Sequence, residues 1–299
     1  MFIRRLPKFE YYHPRSVKEA IDYLAAHPGK SRVFAGGTDL LVAMKKREIV
    51  PSYLVNLKGI GELKGIHFEE SKGLLIGSLV SLAEIEQSEI VREKCPILRD
   101  AVEVMAAPQI RSLGTIGGNL CSASPSADTA PPLIALGATA RIVGPRGERE
   151  LLVEEFFIGP GKSVLQEGEI LSHIFIPAPQ ENSGGAYLKL MRRGAMDLAM
   201  VGVAVYLERE DGTGQCKRSR IALGAVAPTP IRAHEAEGVL RDKKVSKDLA
   251  QEAGRIASEE SKPIDDIRAS KSYRRSMVEV LTQRAIMKAL DRINRGNVS

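Results

Sequence analysis

The sequence predicts an α+β chain: two small α/β regions followed by a strand-then-helix C-terminal third. Three observations carry that reading. A strand, a double glycine and a helix follow one another within residues 31–48, the pattern of a compact α/β unit. Strand-like runs return at residues 74–78 and 169–176, with helical stretches between them. Beyond a Pro/Gly/Ser-rich segment at residues 177–185, three strand-like runs precede all the remaining helical ones, which is the α+β order.

Taken in order, Ser16 and Glu19 have the spacing of a capping box and open a helix with Val17, Ala20, Ile21 and Leu24 on one face. His27, Pro28 and Gly29 end it. Residues 31–35 read as a short buried strand, Gly36-Gly37-Thr38 as a turn, residues 39–48 as a helix and residues 53–57 as a strand. The first subdomain is therefore placed at residues 1–57. In the second, residues 74–78 are a strand, and Ser81 with Glu84 repeats the capping box. Cys95-Pro96 interrupts the helix that follows, and residues 97–107 resume it with Leu98, Ala101, Val102 and Met105 on one face. Residues 138–143 and 151–153 are strands joined through a Gly-Pro-Arg-Gly turn signal. Residues 169–176 alternate as a strand until Pro177 stops it, so the second subdomain is placed at residues 58–177. The third domain, residues 178–299, holds strands at 187–191, 199–207 and 218–226, the last two forming a hairpin. Helices follow at 232–241, 247–259 and 273–293. The expectation there is a three-stranded antiparallel sheet backed by helices.

Composition excludes several function classes. The chain has 299 residues, 43% hydrophobic and 27% charged, ordinary for a soluble globular protein with a substantial core. Trp is absent and aromatics are 5%, which argues against a stacking platform for single-stranded nucleic acid. The N-terminal stretch lacks the apolar run of a signal peptide, and no segment approaches a membrane span. A cytoplasmic location without a membrane partner is expected. Cys95, Cys121 and Cys216 are far apart and form no C-x-x-C, so neither a disulfide framework nor an iron–sulfur or zinc site is expected. His13, His27, His67, His173 and His234 share no ligand spacing, and no metal is assigned. The net charge of +6 is concentrated at residues 271–299, with seven Lys/Arg against two acids. Such an end is a solvated face or a docking surface for an acidic partner, with Arg274, Arg275 and Arg284 as candidates. No reading motif for nucleic acid accompanies it.

Residues 113–130, "LGTIGGNLCSASPSADTA", hold a double glycine, an Asn, five hydroxyl side chains and one carboxylate, with no Lys, Arg or His. Residues 32–41, "RVFAGGTDLL", carry a second double glycine. Paired glycines let backbone N–H groups approach an anion closely, and a following helix adds its positive end. A diphosphate can be held this way without a lysine. Each run alone also reads as a plain tight turn; together they point to one nucleotide held between them. Asp128 either accepts from ribose hydroxyls or caps the helix that follows it. Other nucleotide motifs fail: there is no G-x-x-x-x-G-K-[ST] and no G-x-G-x-x-G after a strand. No G-x-S-x-G elbow supports a hydrolase.

These residues resemble the FAD-binding middle subunit of the molybdenum hydroxylases, the group of xanthine dehydrogenase and carbon monoxide dehydrogenase. The carriers are "AGGTDLL" at 35–41, "TIGGNLCSASPSADTAPPLIAL" at 115–136, "GEILSHIFIP" at 168–177 and "DDIRASKSYRRSMVEVLTQRAI" at 265–286. The resemblance covers nearly the whole chain. It implies two α/β subdomains sandwiching FAD, and it implies the cofactor's neighbours. Arg32, Val33, Phe34, Ala35, Gly36, Gly37, Thr38 and Asp39 would wrap the diphosphate. Thr115, Ile116, Gly117, Gly118 and Asn119 would close the other side, and Asp128 would lie against the flavin's polar side or its ribityl and ribose hydroxyls. Leu171 and Lys189 align with flavin contacts, and Met105 with a position that is aromatic in relatives. On the residues alone, Leu171 reads as core, Lys189 as a solvated strand residue and Met105 as a gap-filler. Thr115 stands where related flavoproteins carry a flavin-bonded histidine, so FAD is expected to be non-covalent. The resemblance further implies electron transfer from a small subunit with two [2Fe-2S] clusters, through FAD, to NAD, oxygen or another acceptor. A large subunit with the molybdenum cofactor would act on the substrate, in a heterohexamer of two heterotrimers. No catalytic acid or base is identified. Two rival readings are a free-standing flavin-dependent oxidoreductase and a nucleotide-binding assembly subunit that has lost flavin.

Overall fold

The structure, a computed structural model, describes residues 5–194 and 196–296. The outer ends of the first and third expected domains, residues 1–4 and 297–299, lie outside the described residues, as does the start of the N-terminal stretch read for a signal peptide.

The chain opens with β1 (Glu10–Tyr12), α1 (Val17–Ala26), β2 (Ser31–Phe34), α2 (Leu40–Lys46) and β3 (Tyr53–Asn56). The three strands form a parallel sheet in the order β1-β3-β2. Val17, Ala20, Ile21 and Leu24 of α1 are buried and share a core with Val55 and Leu57, as their spacing required. Ser16 accepts the Glu19 N–H, but the Glu19 carboxylate completes no box. It takes the Arg15 N–H and the Tyr12 hydroxyl instead. The short edge strand β1 was not legible in the sequence.

The next unit runs β4 (Ile66–Glu69), β5 (Gly73–Gly77), α3 (Leu82–Gln87), α4 (Glu89–Lys94), α5 (Pro96–Glu103), α6 (Pro108–Arg111), α7 (Ile116–Cys121) and α8 (Ala130–Ala135). It continues with β6 (Thr139–Gly144), β7 (Gly147–Leu152), the small hairpin β8 (Phe157–Gly159) and β9 (Lys162–Ser163), and β10 (Ile170–Pro177). Five of these strands form an antiparallel sheet in the order β4-β5-β10-β6-β7. Ser81 and Glu84 make the full reciprocal capping box. The helix breaks earlier than Pro96 predicts, because the Ser88 side chain accepts the Val91 N–H and starts α4 there. Strand β7 begins at Gly147, four residues before the expected 151, since Pro145 and Arg146 alone turn the hairpin.

The last unit holds β11 (Ser183–Leu190), β12 (Val201–Arg209), β13 (Cys216–Gly224), β14 (Ile231–Arg232), α9 (His234–Leu240), α10 (Lys247–Glu260) and α11 (Lys271–Gly296). Its antiparallel sheet has four strands, not the expected three, because Ile231 and Arg232 pair with Leu223 and Ala222. Two residues are too few to alternate, which is why the sequence hid them. The expected linker also shortens, since β11 starts at Ser183. Gly184 lies where a Cβ would meet the Ala289 carbonyl at 2.6 Å, so α11 rests on the strand backbone. Val203, Val205 and Leu207 pack towards α10 and α11. Tyr187, Ala204 and Ala222 face the other way and join the core of the middle unit. The sheet is thus buried on both faces. Among the described residues no helix is long and apolar enough to cross a membrane.

Candidate functional site

The two glycine runs meet. A Cβ added at Gly36 would sit 2.9 Å from the Gly114 Cα and closer still to the Leu113 carbonyl oxygen, so only glycine lets the two backbones abut. Gly37 has φ +75°, and its missing Cβ leaves room for the Phe34 ring at 2.5 Å. Thr38 places its hydroxyl 3.8 Å from the Cβ position of Gly114. On the other run, Gly117 lies against Ser78, whose carbonyl would be 2.7 Å from an added Cβ. The contact between the turn joining β2 to α2 and the segment before α7 is therefore a backbone-to-backbone seam.

The N–H groups along this seam divide sharply. Those of Ala35, Gly36, Gly37, Thr38 and Asp39 find no acceptor among the described residues. Buried or half-buried N–H groups rarely stay unpaired, and Ala35, Gly36, Gly37 and Thr38 are all partly buried. The second run spends its donors internally. Ile116 donates to Val80, Gly117 to Ser78, Gly118 to the Thr115 hydroxyl and Asn119 to the Thr115 carbonyl. The first run thus offers backbone dipoles, and the second offers a rigid wall with side-chain groups. Arg32 turns its guanidinium onto the Ser31 carbonyl, and Val33 packs on the core beneath. Lys58 lies 4.8 Å from the Phe34 ring centroid.

Asp128 does not cap α8. Its carboxylate accepts from the Tyr187 hydroxyl at 2.7 Å and from Lys189 at 2.9 Å. Lys189 also donates to the Val104 carbonyl at 3.2 Å. Its side chain is only 1% exposed, so it is no solvated strand residue. Burial pushes the Asp128 carboxyl up, with Lys189 and Tyr187 pulling against it. Burial beside Asp128 raises the Tyr187 phenol well above its ordinary value. Gly202 makes this possible, because a Cβ there would meet the Tyr187 hydroxyl at 2.6 Å. The sequence reading missed Tyr187, although Tyr187 and Lys189 are two apart on a strand and so share a face.

Met105 and Leu171 are both buried in the core of the middle unit. The Met105 carbonyl accepts from Arg111, whose other nitrogens grip Glu86 at 2.8 and 2.9 Å. That clamp fixes the segment leading into Leu113 and Thr115, and it too went unread. Cys121 lies on α7, where burial pushes its thiol up to about 12, so it carries no thiolate chemistry at neutral pH. No cluster of His, Cys, Asp or Glu suited to a metal occurs among the described residues. Arg274 corrects the docking expectation: it is 2% exposed and bonds the Met200 and Ala225 carbonyls and Asp266.

Residues 7–179 match the family described as the FAD binding domain in molybdopterin dehydrogenase, and residues 186–289 match the CO dehydrogenase flavoprotein C-terminal domain. The chain is 34% identical to the carbon monoxide dehydrogenase medium chain of Hydrogenophaga pseudoflava, over 94% of this chain and 96% of that one. It is 32% identical to a xanthine dehydrogenase FAD-binding subunit of Escherichia coli O157:H7, over 94% and 95%. Among solved structures it is similar to carbon monoxide dehydrogenase from Hydrogenophaga pseudoflava, with a TM-score of 0.92 and 36% identity over 96% of this chain and 99% of that one. Quinoline 2-oxidoreductase from Pseudomonas putida 86 gives a TM-score of 0.90 and 32% identity, over 97% and 99%.

Proposed function

The chain belongs to the FAD-binding subunits of the molybdenum hydroxylases, and from that premise we propose how its residues hold the cofactor and what they serve. FAD is the cofactor of this subunit. The carrying observation is the seam: five backbone N–H groups at residues 35–39 without an internal acceptor, pressed against a second glycine run. Converging N–H dipoles stabilise a diphosphate without a cationic side chain. Residues 32–39 bind the diphosphate, Thr38 adds a hydroxyl, and Thr115 to Asn119 close the opposite wall. Asp128, held by Tyr187 and Lys189, orients the flavin end. Leu171 and Met105 form the apolar floor beneath.

Bound FAD supplies redox chemistry that accepts electrons singly and delivers them as a pair. This chain's part is to place the ring, exclude water and keep charge fixed around it. Thr115 offers no nucleophilic ring nitrogen, so the cofactor is held non-covalently. The working complex contains a large subunit with the molybdenum cofactor and a small subunit with [2Fe-2S] clusters, assembled as two heterotrimers in the cytoplasm. Electrons leave the clusters by way of this subunit for NAD, oxygen or another acceptor. The chain divides for this purpose at residues 1–57, 58–177 and 178–299. The buried ionisable groups Asp128, Tyr187 and Lys189 are spent on one another, which favours this reading over a free-standing flavin-dependent oxidoreductase with its own acid and base.

The test is the visible spectrum of the purified protein after incubation with excess FAD and desalting. Retained oxidised-flavin bands, with free FAD released on denaturation, support the cradle and its non-covalent grip. A colourless protein, alone and in the co-expressed complex, overturns it.

A further inference from the structure

Thr129 sits one residue beyond Asp128 and is completely buried. It stands at the N-cap of α8, yet its side chain caps nothing. The reason is local. Pro131 and Pro132 open the helix without N–H groups, and the Leu133 N–H already reaches the Thr129 carbonyl. The hydroxyl is therefore spare, and it donates to Asn119 Oδ1 at 2.6 Å. That bond joins α8 to α7 on the second glycine run. The Asn119 backbone is also fixed, with its N–H on the Thr115 carbonyl and its own carbonyl accepting from the Ser122 hydroxyl. Only the amide Nδ2 of Asn119 has no acceptor among the described residues, and the residue is partly exposed.

An amide presents a donor from one end and an acceptor from the other. With its carbonyl end taken by Thr129, Asn119 can offer only N–H bonds outward. A rotated amide could still donate to the Thr129 hydroxyl, which also accepts, but it would turn a carbonyl oxygen towards a ligand rich in phosphate, ribityl and ring oxygens, which repels. The ligand thus selects the donor-outward arrangement that Thr129 anchors. We propose that Thr129 is a positioning residue, whose buried hydroxyl holds the Asn119 amide with its donor end towards bound FAD. The inference rests on the reading that this run borders FAD. It adds that the donor is set by a residue that touches no cofactor.

The test measures FAD affinity by flavin fluorescence on the purified complex, stripped of FAD and titrated, for wild type, T129V, T129S, N119A and the double variant T129V/N119A. Thermal melts confirm that each variant assembles, and T129A replaces T129V if that variant does not. Loss of one neutral hydrogen bond from the cradle predicts about fivefold weaker binding for T129V, with T129S close to wild type. In the N119A background the same T129V change leaves affinity unmoved, because there is no amide left to orient. Equal losses from T129V with and without Asn119 overturn the proposal, as does T129V binding like wild type. N119A binding like wild type removes Asn119 from the contact and overturns it too. Wild type that binds no FAD at all sinks the underlying reading, a result distinct from the other three.

Discussion

Gly36→Ala is the sharpest perturbation of the seam. The added methyl would lie 2.9 Å from the Gly114 Cα and nearer still to the Leu113 carbonyl. Both neighbours are backbone, so neither can swing aside as a side chain would. Arg111 adds to this, since its grip on Glu86 and the Met105 carbonyl stiffens the segment before Leu113. The two runs must part, and the five N–H groups of residues 35–39 splay with them. Overpacking of this kind costs about 1–3 kcal/mol. At about 1.4 kcal/mol per tenfold in a dissociation constant, FAD affinity falls roughly 5- to 100-fold. Gly61→Ala is the matched control, because a Cβ there meets nothing within 4 Å. The assay is FAD titration by fluorescence quenching, with a thermal melt of each variant. G36A binding FAD within about twofold of G61A, with an intact melt, would refute the argument that glycine makes the cradle.

Other outcomes follow from the same structure. Lys189→Met strands the buried Asp128 carboxylate and costs about 3 kcal/mol of unfolding free energy by denaturant titration, while adding D128N recovers most of that loss. Burial raises the folded Asp128 pKa above its unfolded value of 3.8, so the unfolded chain loses its proton first. Its contribution to stability is full below pH 3.8 and falls as pH rises towards the folded value. The stability difference between wild type and D128N, followed from pH 3 to 6, should therefore slope against wild type; a flat difference contradicts it. Burial pushes Cys95 to about 12 and Cys216 to about 11, so these two thiols in native protein at pH 8 should resist alkylation until unfolding, as mass spectrometry would report; modification of either in the folded protein contradicts it. Gly202→Ala drives a methyl into the Tyr187 hydroxyl and should lower the melting temperature by several degrees, whereas unchanged melting shows that Tyr187 has room to move.

What the sequence made legible was local. The turn at Gly36-Gly37, the Ser81 capping box and the apolar faces of α1 and α5 are contiguous patterns, and each formed where its spacing put it, whereas Gly117 and Gly118 lie inside α7 with their N–H groups bonded internally. The misses are short or long-range. Strand β14 has two residues and β1 three, too few for a period. Arg274 looked like surface charge because a basic run is usually solvated. Two backbone carbonyls and Asp266 compensate its burial, and no spacing in the sequence announces those partners. Burial acts to raise the Asp266 carboxyl, but bonds from Arg268, the Arg268 and Ala269 N–H groups and Arg274 hold it well below the carboxylate range. Among the candidate site residues, Lys189 pairs with Asp128 from a different unit of the fold, and Thr129 reaches Asn119 across two helices. Such contacts depend on tertiary packing, which no window of sequence contains.

The central claim is that uncharged backbone groups at residues 35–39 hold a diphosphate. The most direct measurement compares dissociation constants of FAD, FMN and riboflavin for the same stripped complex. All three share the flavin ring, but only FAD carries a diphosphate. The account predicts that riboflavin binds at least about 100-fold more weakly than FAD, in line with several charge-assisted hydrogen bonds lost together, with FMN between them. Riboflavin binding as tightly as FAD would mean that the ring alone carries the affinity and that the seam of glycines is only a turn.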